Sequence, residues 1–180
     1  MDHDADVVVV GAGPTGLLLA GDLARAGVTC LLLERRADRS GLTRAFAVHA
    51  RTLEQLDARG IADELIASGT QVHVLRFFGD AALDLSGLPG RFPYVLITPQ
   101  YETERVLEER AGSLGADIRY GHKVAGLTQH RDGVDVQVEE DGRRRLRLRR
   151  AVRRWLVQGH RLAPAQPAPR ERPGQPGGGP

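Results

Sequence analysis

Residues 7–34 read VVVVGAGPTGLLLAGDLARAGVTCLLLE, and this stretch decides the fold. Val7–Val10 is wholly apolar and β-branched, as in a strand covered on both faces of a parallel sheet. Gly11, Gly13 and Gly16 follow at once, in Gly-Ala-Gly-Pro-Thr-Gly. Leu17–Ala26 is a helix-forming segment, Gly27 a C-terminal stop, and Val28–Leu33 a second apolar strand with Glu34 at its end. The pattern predicts a βαβ unit of a Rossmann-type α/β domain. Its first glycine permits a tight strand-to-helix turn. The second removes a Cβ where a pyrophosphate must touch the backbone, and the third lets helix and strand pack closely. Unpaired N–H groups and the positive dipole end of the helix would face the phosphates. Glu34 stands 18 residues after Gly16, where a carboxylate can accept hydrogen bonds from an adenosine ribose. Strand, fingerprint, helix, strand and acid in register point to a dinucleotide site.

The chain has 180 residues, enough to bury one substantial core. Its net charge of +2 hides an asymmetry. Residues 143–180 carry 11 arginines against one acid, Glu171, whereas residues 1–142 carry 14 basic and 22 acidic residues. The basic character therefore belongs to the C-terminal stretch, and the domain before it is acidic. Cys30, the single cysteine, excludes a disulfide within the chain and reads as a small core residue. The acidic start Met1-Asp2-His3-Asp4 does not read as a signal peptide, and no apolar run approaches membrane-spanning length. A soluble, cytoplasmic protein with no membrane association is expected.

Arg35–Val48 is polar and reads as a loop. His49–Arg59 and Ile61–Ala67 read as helices, stopped by Gly60 and Gly69. A β-like excursion follows: Val72–Phe78, Ala82–Leu85 and Tyr94–Ile97, with turns at Gly79-Asp80 and around Gly87, Pro89 and Gly90. Gln100–Leu114 is predicted helical, with Val106 and Leu107 inward, and Ile118–Tyr120 a short strand. Val124–Gln129, Val134–Glu139 and Arg143–Arg149 form a predicted antiparallel meander, with turns at Asp132-Gly133 and Asp141-Gly142. Residues 164–180 hold six prolines and four glycines, a composition that cannot bury a core. The expected division is a domain over 1–150 and a disordered, basic, Pro/Gly-rich tail over 151–180.

Together these stretches resemble the N-terminal part of the FAD-dependent aromatic hydroxylases, in the branch acting on aromatic polyketides. The resemblance rests on Val7–Glu34, Thr43–Glu54 (TRAFAVHARTLE), Leu83–Leu88 (LDLSGL), Tyr94–Glu104 (YVLITPQYETE) and Gly121–Leu127 (GHKVAGL). It implies that Gly11, Ala12, Gly13, Thr15 and Gly16 surround the FAD pyrophosphate and that Glu34 holds the adenosine ribose. It further implies that Arg44 reaches the cofactor from its loop, that Gln100 contacts the ribityl or flavin side, and that Val124 meets the adenine through its backbone. By residue chemistry alone, Arg44 could also be a solvated loop charge and Gln100 a plain helix start. The segment 70–98 would begin a substrate-binding sheet. The implied chemistry is NAD(P)H-dependent hydroxylation of an aromatic, polyketide-like substrate by O2, with NAD(P)H as a transient reductant. No catalytic side chain and no metal site are expected.

Other groups have simpler readings. Arg105 beside Glu102 and Glu109 suggests helix-surface ion pairs. His49, His73, His122 and His130 share no ligand spacing and read as structural or exposed. Phe92, Tyr94 and Tyr101 are compatible with an aromatic substrate, but core packing or plain exposure accounts for each.

Beyond Arg149 the resemblance stops. The Asp-Gly and Gly-Asp motifs that the family carries further along are absent, since the last aspartate is Asp141. The expectation is an incomplete FAD-binding domain, truncated or frame-shifted and inactive alone. Two alternatives use the same residues. One is an NAD-dependent dehydrogenase built on the same fingerprint. The other is a basic arm, Arg143–Arg172, binding nucleic acid or an acidic partner. That arm shows neither aromatic-interleaved nor helix-turn-helix patterning, which weighs against nucleic acid.

Overall fold

The apolar run Val7–Val10 forms strand β1, followed by helix α1 (Pro14–Arg25) and strand β2 (Cys30–Leu33). These come from a computed structural model that describes residues 5–39, 46–131, 133–140, 143–148 and 157–158. The helix starts at Pro14 rather than Leu17, because proline suits the first helical position, where an N–H would lack a partner anyway. Gly27, at φ +76°, ends the turn beyond it.

The chain continues through β3 (Ala47–Val48), α2 (Ala50–Asp57), α3 (Ala62–Ala67), β4 (Thr70–Val72), β5 (Val74–Arg76), β6 (Ala82–Asp84) and β7 (Val95–Ile97). Then come α4 (Gln100–Ser113), β8 (Asp117–Arg119), β9 (His122–Gln129), β10 (Val134–Glu140), β11 (Arg143–Leu148) and β12 (Val157–Gln158). The main sheet runs β12-β1-β2-β8 with every pairing parallel. A meander, β11-β10-β9, is antiparallel, as its alternating valines predict. Its register slips where Gln137 pairs with Gly126 but Val138 with Val124, leaving Ala125 as the extra residue of a bulge.

Alternation in β1 and β2 explains why both strands are apolar throughout. Val9, Cys30 and Leu32 face a core made with Leu17 and Ala20 of α1 and Val106, Leu107 and Ala111 of α4. Val8, Leu31 and Leu33 face the opposite way, onto Val136 and Val138 of β10. A strand with both faces covered has no place for a polar side chain. Cys30 is part of this core, and burial first, then the nearby Asp117 carboxylate, pushes its thiol up to about 11. Leu53 and Leu56 of α2 and Leu65 of α3 join the helix-side core.

Three expectations require correction. Arg35–Val48 is not loop throughout, because Ala47–Val48 is a strand pairing antiparallel with β7. Val72–Phe78 is not one strand: the chain changes sheets at His73, with β4 on β7 and β5 on β6. His73 makes the break, its carbonyl accepting the Leu85 N–H at 2.8 Å and its ring nitrogen Nδ1 lying 3.1 Å from the Pro93 carbonyl. Within 151–180, expected to be disordered, Val157 and Gln158 pair in parallel with Val9 and Val10. The remainder of that tail lies outside the described residues, as do Arg44, Asp132 and the turn Asp141-Gly142.

Candidate functional site

The turn from β1 into α1 opens at the C-terminal edge of the parallel sheet. Gly11 begins it at φ +102°, a backbone shape that side chains disfavour, and its N–H donates to the Leu33 carbonyl at 2.8 Å. Gly13, with extended backbone, caps the helix without any side-chain hydrogen bond. The first N–H groups of α1 therefore point out of the helix unpaired by any cap, beside the positive end of its dipole. A Cβ at Gly11 or Gly13 would enter open space, whereas one at Gly16 would run into the Gly11 carbonyl oxygen. The turn thus has a bare cradle on one side and close packing on the other. An anionic diphosphate fits such a cradle by both shape and charge.

Glu34 stands beside this turn. It is only 6% exposed, yet its carboxylate is well satisfied. Oε2 accepts the Ala12 N–H at 2.8 Å, and Oε1 accepts the N–H and Nε–H of Arg36 at 2.9 and 3.1 Å. Burial alone would push its carboxyl up. The hydrogen bonds from Arg36 and Ala12, with the Arg36 charge, outweigh burial and hold it below the usual carboxylate range. An ionised carboxylate is a strong acceptor for hydroxyl donors such as those of a ribose. The Ala12 N–H is committed to this acid, so within the predicted set Ala12 fixes Glu34 while its neighbours face the cradle.

The remaining predicted residues lie on other elements. Thr15 is exposed in the first turn of α1. Gln100 is the first residue of α4, half-buried, and its Nε2 donates to Glu104 Oε1 at 2.7 Å. Val124 packs against the meander-side core, with its backbone in register with Val138. Arg44 lies outside the described residues.

Phe92 and Tyr94 are buried core residues in edge contact, while Tyr101 is exposed. His73 lies edge-on to Tyr94, and His122 Nδ1 is 2.6 Å from the Tyr120 carbonyl. His130 pairs with Asp135. Arg105 makes its expected pairs with Glu102 and Glu109 and reaches Glu64 of α3 as well.

Three arrangements escaped sequence reasoning. Arg36 grips Glu34 from the bend that follows β2, two residues beyond the acid, where no strand or helix periodicity signals it. Asp22 on α1 accepts from Arg59 at 2.8 Å and from the buried Arg110 at 2.8 Å, tying α1 to two later segments. Burial would raise the Asp22 carboxyl, but the two guanidinium groups hold it below its ordinary value. Tyr120 donates to Glu108 at 2.9 Å, and burial first, then this bond, pushes its phenol upward.

A family model described as an FAD-binding domain matches residues 4–151. The chain is 46% identical over 134 residues to the anhydrotetracycline monooxygenase of Streptomyces rimosus, covering 74% of this chain and 27% of that protein. It is 41% identical over 143 residues to the rifampicin monooxygenase of Streptomyces venezuelae, covering 79% of this chain and 30% of that one. Among solved structures, the anhydrotetracycline hydroxylase OxyS of Streptomyces rimosus superimposes with a TM-score of 0.74 at 42% identity, covering 79% of this chain and 30% of that chain. The chain thus spans less than a third of the length of the curated relatives it matches.

Proposed function

The chain belongs to the FAD-binding domain family of the FAD-dependent aromatic hydroxylases, and from that premise we propose that residues 1–150 form the adenosine-binding lobe of a flavin monooxygenase. Gly11, Gly13, Thr15 and Gly16 receive the FAD pyrophosphate, Ala12 and Glu34 the adenosine ribose. Gln100 and Arg44 serve the ribityl and flavin side, and the backbone at Val124 serves the adenine. Segment 70–98 begins the sheet that would carry substrate. The observation that carries the reading is the buried Glu34 carboxylate, hydrogen-bonded to Ala12 beside a turn whose Gly11 and Gly13 face open space.

Bound FAD supplies electron uptake from NAD(P)H and the activation of O2 for hydroxyl transfer to an electron-rich ring. The part played by this chain's own residues is binding. Backbone N–H groups at the start of α1 offset the diphosphate charge, Glu34 orients the ribose, and the glycines let the backbone approach. The whole enzyme's substrate is proposed as a polyketide-like aromatic, in line with the anhydrotetracycline monooxygenase among the relatives. The family match favours FAD over the NAD-dehydrogenase alternative, and the basic arm of the other alternative lies mostly outside the described residues.

Titrating FAD with the 180-residue protein and following flavin fluorescence tests the reading. Saturable quenching is expected. A folded protein, helical by circular dichroism, that leaves flavin fluorescence unchanged overturns it.

A further inference from the structure

We infer that Arg36 is a positioning residue for the adenosine end of the site, holding one oxygen of Glu34 so that the other is left to accept a ribose hydroxyl. The inference rests on the FAD reading above. An ionised carboxylate has about four lone-pair directions on its two oxygens. Among the described residues, Oε1 receives two donors, both from Arg36, while Oε2 receives one, from Ala12. The acceptor direction that remains is therefore on Oε2, the oxygen beside the Gly11–Gly16 turn.

Arg36 is itself anchored. The Gly121 N–H donates to the Arg36 carbonyl at 2.7 Å. The Glu34 N–H donates to the Arg119 carbonyl at 2.8 Å, and the Glu34 carbonyl accepts from the His122 N–H at 2.8 Å. Gly121, at φ +73°, makes the corner from β8 into β9 that brings these partners together. The Arg36 side chain is 32% exposed and that of Glu34 8%, so the guanidinium reaches inward from the solvent edge to a buried acid. Its Nε–H and backbone N–H meet the same oxygen, which fixes the carboxylate against rotation about its last bond. A lysine ammonium is a point charge without that planar geometry and cannot reproduce it. Arg36 need not touch the ligand; it acts through Glu34.

Calorimetric titration of the full chain with ADP and with 2′,3′-dideoxy-ADP, alongside FAD, separates the ribose contribution from everything else. The unmodified protein is expected to prefer ADP by about tenfold, the scale of one hydrogen bond to a charged acceptor. In Arg36→Ala that preference should fall to roughly threefold or less, since the guanidinium bond to Oε1 is lost and the backbone N–H groups of residues 36 and 12 alone remain to hold the carboxylate, with dideoxy-ADP affinity unchanged. Arg36→Lys should fall between, its charge retained but its directed bond lost. Full preference for ADP in either variant overturns the inference and leaves the FAD reading intact. Equal loss of ADP and dideoxy-ADP also overturns it, because that is the signature of a merely structural arginine. Should Arg36→Ala fail to fold, the Arg36→Lys ratio decides. An unmodified protein that binds neither ADP nor FAD removes the FAD reading and this inference with it.

Discussion

Leu31, Leu32 and Leu33 of β2 are 1%, 0% and 1% exposed, whereas Phe77 and Phe78 beside the β5–β6 hairpin are 58% and 98% exposed. Both regions are apolar strands or their immediate extensions. What separates them is cover. Strand β2 has α1 and α4 on one face and β10 on the other, with β1 and β8 as hydrogen-bonded neighbours. The β5–β6 pair is a two-stranded sheet by itself, the kind that is marginal without further packing. Hydrophobicity along the chain states what would be favourable to bury, and only the tertiary arrangement decides what is buried. The β1–α1–β2 unit is therefore the covered part, and the excursion is held mainly through β7.

The sharpest way to break this contrast is a cavity in the covered region. Leu32→Ala should cost about 2–5 kcal/mol, because close packing on both faces prevents the site from collapsing. Urea denaturation followed by circular dichroism measures it. A loss below about 1 kcal/mol would mean the two-faced core is loose. Next in size is Asp22→Ala, which leaves the buried Arg110 without its carboxylate. Removing one member of a buried pair is strongly destabilising, but Asp22 is about a third exposed and water can intervene, so roughly 1–3 kcal/mol is expected. The same denaturation assay reads it, and a neutral result would show that Arg110 finds water.

Glycine exchange sharpens the contrast further, since one substitution should change sign with position. Gly16→Ala drives a Cβ into the Gly11 carbonyl and should destabilise by about 1–3 kcal/mol while abolishing flavin quenching. Gly112→Ala, in the last turn of α4 with nothing near its Cβ, should stabilise by a few tenths to about 1 kcal/mol through helix propensity. Thermal melts of the two variants check this, and equal signs would contradict the close approach at Gly16. The smallest effect is expected at Phe78→Ser, within about 0.5 kcal/mol, because an exposed side chain has little burial to lose.

Acid titration addresses the two acid networks of the covered unit. Glu34 and Asp22 have folded-state values depressed below their ordinary 4.5 and 3.8. For a depressed carboxyl, the added stability is complete above the unfolded value and disappears as pH falls through the folded one. Urea midpoints should thus be flat from neutral pH down to about 5 and then decline. Glu34→Gln should flatten part of that decline. An undiminished acid decline in that variant would show that Glu34 is not held by these bonds.

Much of the nucleotide unit was legible because its causes are local. A run such as Val7–Val10 needs cover on two faces, and Gly11-Ala12-Gly13 needs no distant partner to make its turn. Glu34 was placed by spacing alone, and the structure sets it against Ala12. The failures are non-local. Ala47–Val48 lies in a polar stretch and becomes a strand only because β7, nearly fifty residues away, offers an edge. The break at His73 depends on Leu85 and Pro93, and the burial of Arg110 depends on Asp22. Val157–Gln158 has arginines shortly before it and prolines after, so no periodicity marks it, yet it pairs with β1. Arg36 was hidden for a different reason: its polarity reads as loop, and its role appears only beside a buried acid.

The central claim is that the turn at Gly11–Gly16, with Glu34, receives the adenosine diphosphate part of FAD. A crystal structure of the chain soaked with ADP tests it most directly. The diphosphate is expected against the N–H groups at the start of α1, with a ribose hydroxyl within hydrogen-bonding distance of Glu34 Oε2. Density for ADP elsewhere on the protein, with the Gly11–Gly16 cradle left bare, would contradict it.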